Sequence, residues 1–240
     1  MYMKIRKVVR QIFLNQETTH KLLNEILWAQ RFHDSIRGKS ALESQNLYIG
    51  RWAGNYTLFY IINKVLSDYK PPRILELGLG ESSKFISTYV RNYLNETTHH
   101  IVEHDANWVE IFNKSYELYS KSEIITCPLT KRSIKGHLVN SYSDFKKNVH
   151  ESYDLYLVDG PFGSEPYSRY DIISLVEEFT IDSEFIIIFD DYNRIGEKNT
   201  VDDLLSILKN KNIDFINVVY SGQKSVAVIA SNNYRYLSTL

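Results

Sequence analysis

The sequence predicts an α/β fold: a Rossmann-like, seven-stranded, mostly parallel sheet with helices on both faces, a C-terminal antiparallel hairpin and an N-terminal helical extension. Three observations predict it. From about residue 73, short β-branched or aromatic runs alternate with longer stretches of helical character, the pattern of a parallel sheet covered by helices. A glycine-bearing turn follows the first of these runs. The last two runs are separated only by Tyr220-Ser221-Gly222-Gln223-Lys224, too short for a right-handed crossover, so they must pair antiparallel.

The candidate strands lie at 73–77, 99–103, 123–127, 153–158, 184–189, 214–219 and 225–230, and each of the first five is followed by enough chain for a helix. Upstream, Leu22, Leu23, Ile26 and Leu27 within 18–35, and Leu58, Ile61, Ile62, Val65 and Leu66 within 55–69, recur at spacings of three and four. Such spacing predicts two helices before the sheet. Pro71-Pro72 cannot continue a helix and places a boundary: 1–70 is expected to be a helical extension or cap, and 71–240 the ligand-binding domain. Asn107 with Glu110, and Thr200 with Asp203, have the spacing of a polar N-cap and an acidic partner three residues on, and read as helix starts.

Composition narrows the function classes. A chain of 240 residues, 43% hydrophobic and 24% charged, can bury a full core. A net charge of -1 offers no field for gripping phosphate backbones, so no nucleic acid is expected. The single cysteine, Cys127, excludes an internal disulfide framework and a multi-cysteine metal site, and suits a reducing compartment. It reads as an inert residue of a buried strand. The longest pure apolar run, Phe185-Ile186-Ile187-Ile188-Phe189, is too short to span a bilayer. Arg10, Gln11, Asn15 and Gln16 break the apolar stretch near the start, unlike a secretory leader, and a cytoplasmic location is expected. There, Lys4, Arg6, Lys7 and Arg10 interleave with Val8, Val9, Ile12 and Phe13. That segment is either a terminal helix packed on the body or an amphipathic foot for an acidic membrane or a partner.

The first strand runs into Glu76-Leu77-Gly78-Leu79-Gly80-Glu81-Ser82-Ser83, a turn with two glycines where a Cβ would obstruct a ligand approaching the backbone. A dinucleotide fingerprint would have glycine where Ser83 stands, and Glu81 would repel a pyrophosphate. Glu76 instead suits a positively charged ligand, such as the ammonium of S-adenosylmethionine. Glu103, twenty-three residues beyond Gly80, is placed to accept both hydroxyl protons of a ribose. The other reading of these residues is a tight turn and a strand cap.

On Glu76-Leu-Gly78-Leu-Gly80, Glu103 and the seven-strand order, the chain resembles the class I S-adenosylmethionine-dependent methyltransferases over residues 55–240. The resemblance implies that the first motif, with Ser82 and Ser83, contacts the methionine end of the cofactor, with Glu103 and His104 at the adenosine. It places Pro128-Leu129-Thr130 beside the adenine.

The fourth strand ends in Val158-Asp159-Gly160-Pro161 and the fifth in Phe189-Asp190-Asp191-Tyr192. In a parallel sheet both ends face one crevice, with strands about 4.8 Å apart, so Asp159, Asp190 and Asp191 are expected to converge. Three carboxylates together need a cation, and a hard divalent ion such as Mg2+ is the natural occupant; it would lower the pKa of a bound hydroxyl. This constellation resembles the metal-dependent O-methyltransferases of the catechol, caffeoyl-coenzyme A and macrocin types. Phe162 stands where those relatives often carry a Lys or His base. Asp159 is also open to a direct role at substrate or cofactor, with Asp190-Asp191 then starting a loop.

The loop after the fourth strand carries Phe162, Tyr167, Arg169 and Tyr170, which are expected to form an acceptor wall: aromatic faces for a sugar or ring and a guanidinium for an anionic group. The other reading is a surface loop with a Glu165–Arg169 pair. The histidines show no zinc spacing; His137 lies in an unassigned stretch from which a base could come. Tyr48-Ile49-Gly50-Arg51-Trp52 either folds over the cofactor or packs a helix start. The sequence therefore predicts methyl transfer from S-adenosylmethionine to a hydroxyl of a small molecule or saccharide, with a homodimer left open. The alternatives are a non-catalytic binding module on the same fold and a nicotinamide oxidoreductase.

Overall fold

The computed structural model describes residues 2–240, the side chains of 2–5, 8 and 51 excepted; the expectations for Lys4, Val8 and the Arg51 side chain lie outside the described residues. The elements in chain order are α1 (Tyr2–Ile36), α2 (Ser40–Glu43), α3 (Tyr56–Asp68), β1 (Arg73–Leu77), α4 (Glu81–Tyr93), β2 (Thr98–Glu103), α5 (Ala106–Ser115), β3 (Ser122–Thr126), β4 (Leu129–Ile134), β5 (His137–Tyr142), α6 (Phe145–Asn148), β6 (Leu155–Val158), α7 (Asp171–Val176), β7 (Ile186–Phe189), α8 (Ile195–Asn210), β8 (Phe215–Ser221) and β9 (Ser225–Ser231).

Seven strands form one sheet in the order β3-β2-β1-β6-β7-β9-β8. The first five are parallel; β9 runs antiparallel to β7 and to β8. This is the expected sheet, with the terminal hairpin in place. The strand order reverses between β1 and β6, which opens a crevice at their carboxyl ends. β6 and β7, each four residues long and wholly buried, read as unbroken apolar runs because helices cover both their faces.

One core packs α3 and the C-terminal part of α1 on one face of the sheet: Trp28, Phe32, Leu58, Phe59, Ile62 and Leu66 meet Ile74, Leu157, Ile188 and Val228. The other face packs Ile172, Val176, Val201 and Leu204 against Leu75, Tyr156, Ile187 and Ile229. At about 25 cal/mol per Å2 of apolar surface, these two layers dominate the stability. In α1 the periodicity marks the helix and misses the buried face. Leu22, Leu23, Ile26 and Leu27 are exposed, as are Val9, Ile12 and Phe13; Trp28, Phe32 and Ile36 make the contact.

Three further expectations are corrected. Residues 129–142, with Leu129 and Thr130 expected in a loop beside a ligand and the stretch around His137 unassigned, form the separate hairpin β4–β5; its exposed, polar β4 carries no apolar alternation. The N-cap of α5 is Asp105, whose carboxylate accepts from the amides of Asn107 and Trp108. Asn107 lies inside the helix. Thr200 lies inside α8, where its hydroxyl donates to the Ser168 carbonyl. Among the described residues, no helix is long and apolar enough to cross a membrane.

Candidate functional site

Sheet register brings the candidate residues to one level. Leu77 pairs with Val102 and with Val158, and Val158 with Phe189, so the next residues, Glu103, Gly78, Asp159 and Asp190, stand side by side where the strands end. The Gly78 amide donates to the Val102 carbonyl at 2.9 Å, and the Asp159 amide to that of Leu77 at 2.9 Å. Gly78 has φ +105°, and a Cβ on it would come within 3.3 Å of the Asp159–Gly160 backbone. Glycine is required there both for its backbone angle and for this close approach.

These strand ends floor a cleft of about 540 Å3. One wall is the turn Gly78–Ser82 with Trp108, whose indole Nε1 donates to the Leu79 carbonyl at 2.8 Å. Phe162, His104 and Tyr142 form another, with the His104 and Phe162 rings 4.6 Å apart between centroids. Tyr48, Trp52 and Ala53 overhang the cleft. Trp52 is 88% exposed, an uncovered aromatic surface beside an open pocket. A Cβ added at Gly80 would meet nothing within 4 Å, so the backbone there faces free space.

Glu103 is buried and held by backbone amides: Oε1 accepts from His104 and Asp105 at 2.7 and 2.9 Å, and Oε2 from Leu79 at 3.0 Å. His104 Nδ1 lies 2.8 Å from Oε1. A carboxylate oxygen has room for two donors, so Oε2 retains capacity toward the cleft.

Asp159, Asp190 and Asp191 converge as expected, each offering an oxygen within 4.8 Å of the others. Glu197, buried in the first turn of α8, joins them. The protein threads its own cations between these acids. Arg169 Nη2 lies 2.7 Å from Asp191 Oδ2 and 3.0 Å from Asp159 Oδ1, while Nη1 donates to the carbonyls of Asp190 and Val158. Lys224 Nζ lies 3.0 Å from Asp191 Oδ1 and 3.7 Å from Asp190 Oδ2, and Arg194 Nη1 3.1 Å from Asp191 Oδ2. Neither carboxylate oxygen of Asp190 has a hydrogen bond.

The electrostatics split the three acids. Burial, with a lesser push from Asp190 and Asp191, outweighs Arg169 and raises Asp159 to about 8. Burial and then the charge of Asp191 raise Asp190. Burial opposes ionisation of Asp191 too, yet Arg169, Lys224 and Arg194 together hold it below its ordinary value. The same surroundings therefore favour the charged form of Asp191 and the protonated forms of Asp159 and Asp190.

Several expected site residues lie elsewhere. Glu76 is fully buried, with Oε1 accepting from Ser82 Oγ at 2.5 Å and Oε2 2.9 Å from His99 Nε2. It does not line the cleft, because a histidine and a hydroxyl satisfy it inside the sheet. Ser83 is buried and turned back, its Oγ accepting from the Gly80 amide. Tyr167 and Tyr170 pack on each other outside the cleft, and the Tyr170 hydroxyl donates to Asp203. Arg169 reaches the cleft but is only 3% exposed, and its guanidinium serves the acids in place of Glu165. Phe162, Ser82, Gly80 and His104 do line the cleft. His137 pairs with Ile134 in the β4–β5 hairpin and its ring lies against Tyr167. The sequence reading missed Trp108, Tyr142, Arg194, Glu197 and Lys224.

No protein-family model matches the chain, and no curated protein matches it. Solved structures do resemble it. An S-adenosylhomocysteine-bound methyltransferase of Podospora anserina, PaMTH1, is 15% identical with a TM-score of 0.48 over 85% of this chain and 87% of its own. A putative caffeoyl-CoA O-methyltransferase from Staphylococcus aureus is 13% identical, TM-score 0.47, over 83% and 91%. A putative O-methyltransferase from Klebsiella pneumoniae is 12% identical, TM-score 0.48, over 87% and 90%.

Proposed function

We propose that this chain is an S-adenosylmethionine-dependent methyltransferase that methylates a hydroxyl oxygen of a small molecule or saccharide. One observation carries the reading: the open backbone at Gly80, the amide-held Glu103 and the carboxyl of Asp159 share one cleft at the point where the strand order reverses. Among the described residues lining that cleft, Glu81, Glu103, Asp105, Asp159 and Asp191 outnumber Arg169, Arg194 and Lys224. An acid-rich lining favours a cationic ligand over a pyrophosphate.

The residues present fit the adenosyl donor. Gly78, Gly80 and Ser82 would hold its amino-acid end, Glu103 its ribose hydroxyls through the spare capacity of Oε2, and His104, Trp108, Tyr142 and Phe162 its base. When bound, the cofactor supplies a sulfonium methyl: an oxygen–carbon bond forms, the carbon–sulfur bond breaks, and its electron pair returns to sulfur, leaving a neutral thioether. The chain must then orient an acceptor hydroxyl and take its proton. Asp159, 23% exposed at the cleft wall, is the base, and a pKa near the working pH suits proton abstraction. Arg169, 3.0 Å away, steadies its orientation, and Asp191 anchors Arg169. Orientation of the acceptor contributes the larger share of the acceleration.

A divalent ion does not fit the acid cluster as it stands, because Arg169 and Lys224 nitrogens occupy the gaps between the oxygens such an ion would bridge. No step here is routed through a metal.

Calorimetric titration with S-adenosylhomocysteine tests the reading. The expected result is one site per chain; a protein that binds reduced dinucleotide instead would be an oxidoreductase. One that binds the cofactor and methylates no hydroxyl compound would be a binding module.

A further inference from the structure

We infer that Arg169 and Lys224 take the place of a divalent cation, so that the site works metal-free and Lys224 is a positioning residue of the reaction; this rests on the methyltransferase reading above. A Mg2+ ion would need oxygens about 2.1 Å away in near-octahedral array. The gap between Asp159 Oδ1 and Asp191 Oδ2 is filled by Arg169 Nη2, at 3.0 and 2.7 Å. That guanidinium cannot withdraw: it is buried, and Nη1 is held by two strand-end carbonyls.

The gap between Asp190 and Asp191 is filled by Lys224 Nζ. Its placement is built rather than incidental. Lys224 sits on the β8–β9 turn, whose Gln223 amide donates to Glu25 Oε2 at 2.8 Å and whose preceding carbonyl, that of Ser221, accepts from Trp28 Nε1 at 3.1 Å. The Tyr192 amide donates to the Ser225 carbonyl at 2.8 Å, tying the turn to the segment after Asp191.

Charge agrees with geometry. Four acids, Asp159, Asp190, Asp191 and Glu197, face three cations, Arg169, Arg194 and Lys224, so the formal charge of the cluster is already within one unit of neutral. A doubly charged ion would tip it to net positive. Lys224 brings positive charge to the cleft from the β8–β9 turn. In this arrangement the ammonium fixes Asp191 and favours negative charge on an acceptor oxygen as its proton leaves for Asp159.

The test uses the chelator-treated full chain, with Mn2+ uptake followed by electron paramagnetic resonance and S-adenosylhomocysteine binding by calorimetry. Wild type should show no saturable Mn2+ site and the same cofactor affinity in chelator as in magnesium. Lys224→Ala frees the oxygens of Asp190 and Oδ1 of Asp191 and should gain one saturable site, while Lys224→Arg should not. Methyl transfer should fall about 100-fold in Lys224→Ala and recover in part in Lys224→Arg. A saturable Mn2+ site in wild type that Asp190→Asn abolishes overturns the proposal. So does a Lys224→Ala protein with an intact melting transition that takes up no Mn2+. Failure of wild type to bind S-adenosylhomocysteine would remove the methyltransferase reading and leave the Mn2+ result to stand by itself.

Discussion

Arg169 and Asp191 meet at 2.7 Å, buried, with both backbones in the left-handed region at φ 56°. A non-glycine residue there costs about 1–3 kcal/mol, and such strain persists only where the surroundings dictate it. Here the surroundings are the other strand-end acids: the strained turns aim a guanidinium and a carboxylate at each other beneath the cleft.

Removing the guanidinium should expose what it compensates. Arg169→Met leaves Asp159, Asp191 and Glu197 without their central cation. Breaking a buried pair from one side costs about 3–5 kcal/mol, which for a chain of this size lowers Tm by roughly 6–20 °C. Differential scanning calorimetry reads it. A shift under about 2 °C, below 1 kcal/mol at this size, would mean that the acids are compensated elsewhere.

Asp159→Asn keeps the shape of the cleft and removes the proposed proton acceptor. Cofactor affinity should change little, while transfer falls by about 10²–10⁴-fold, the usual contribution of a positioned base. The wild-type rate should rise with pH, reach half its maximum near 8, the raised pKa of Asp159, and level off above it. Retention of full turnover by the variant would take Asp159 out of the mechanism.

Gly80 offers a cleaner probe of the proposed cofactor cradle. Its φ of -168° is open to any residue, and nothing within 4 Å opposes a Cβ, so Gly80→Val should fold and melt as wild type does. S-adenosylhomocysteine affinity should nonetheless collapse. Glu103→Gln should cost about 1.5–3 kcal/mol of binding, a charged hydrogen bond's worth, or roughly 10–100-fold. Unchanged affinity in both variants would place the cofactor elsewhere.

Asp171 should add a pH effect on stability that a single substitution isolates. Buried at the start of α7, it accepts from Ser141 Oγ and the Tyr142 amide, and burial raises it from 3.8 to about 6 against those hydrogen bonds. The folded chain therefore holds this proton more tightly than the unfolded chain, so its stabilising contribution is complete below pH 3.8 and is lost as pH rises to about 6. Between pH 4.5 and 7 the wild type should lose about 2 kcal/mol more than Asp171→Asn. Urea titrations at the two pH values measure the difference; parallel losses would contradict it.

The sheet, the antiparallel end and the meeting of Asp159 with Asp190 and Asp191 were legible because strand periodicity and register are local signals that propagate. Glu103 and Gly80 followed from the same register. Glu76 was not, since its capture by His99 and Ser82 depends on which face of β1 its side chain enters and on what waits there. Tyr167 and Tyr170 carried the right chemistry on the right loop, but the bend at Arg169 turns them outward. Lys224 was hidden in what read as an ordinary turn: only the antiparallel docking of β9 on β7, Ala227 opposite Phe189, brings it to the acids.

The grip of Glu25 and Trp28 on the β8–β9 turn gives the site a birth order. A nascent chain lengthening past Asp191 has its acids facing one another while their lysine is still unmade. Only when residues near 224 emerge and seat against a helix translated some two hundred residues earlier does the charge balance close. The electrostatics of the cleft thus wait on a contact between α1 and the β8–β9 hairpin, two segments far apart in the order of synthesis.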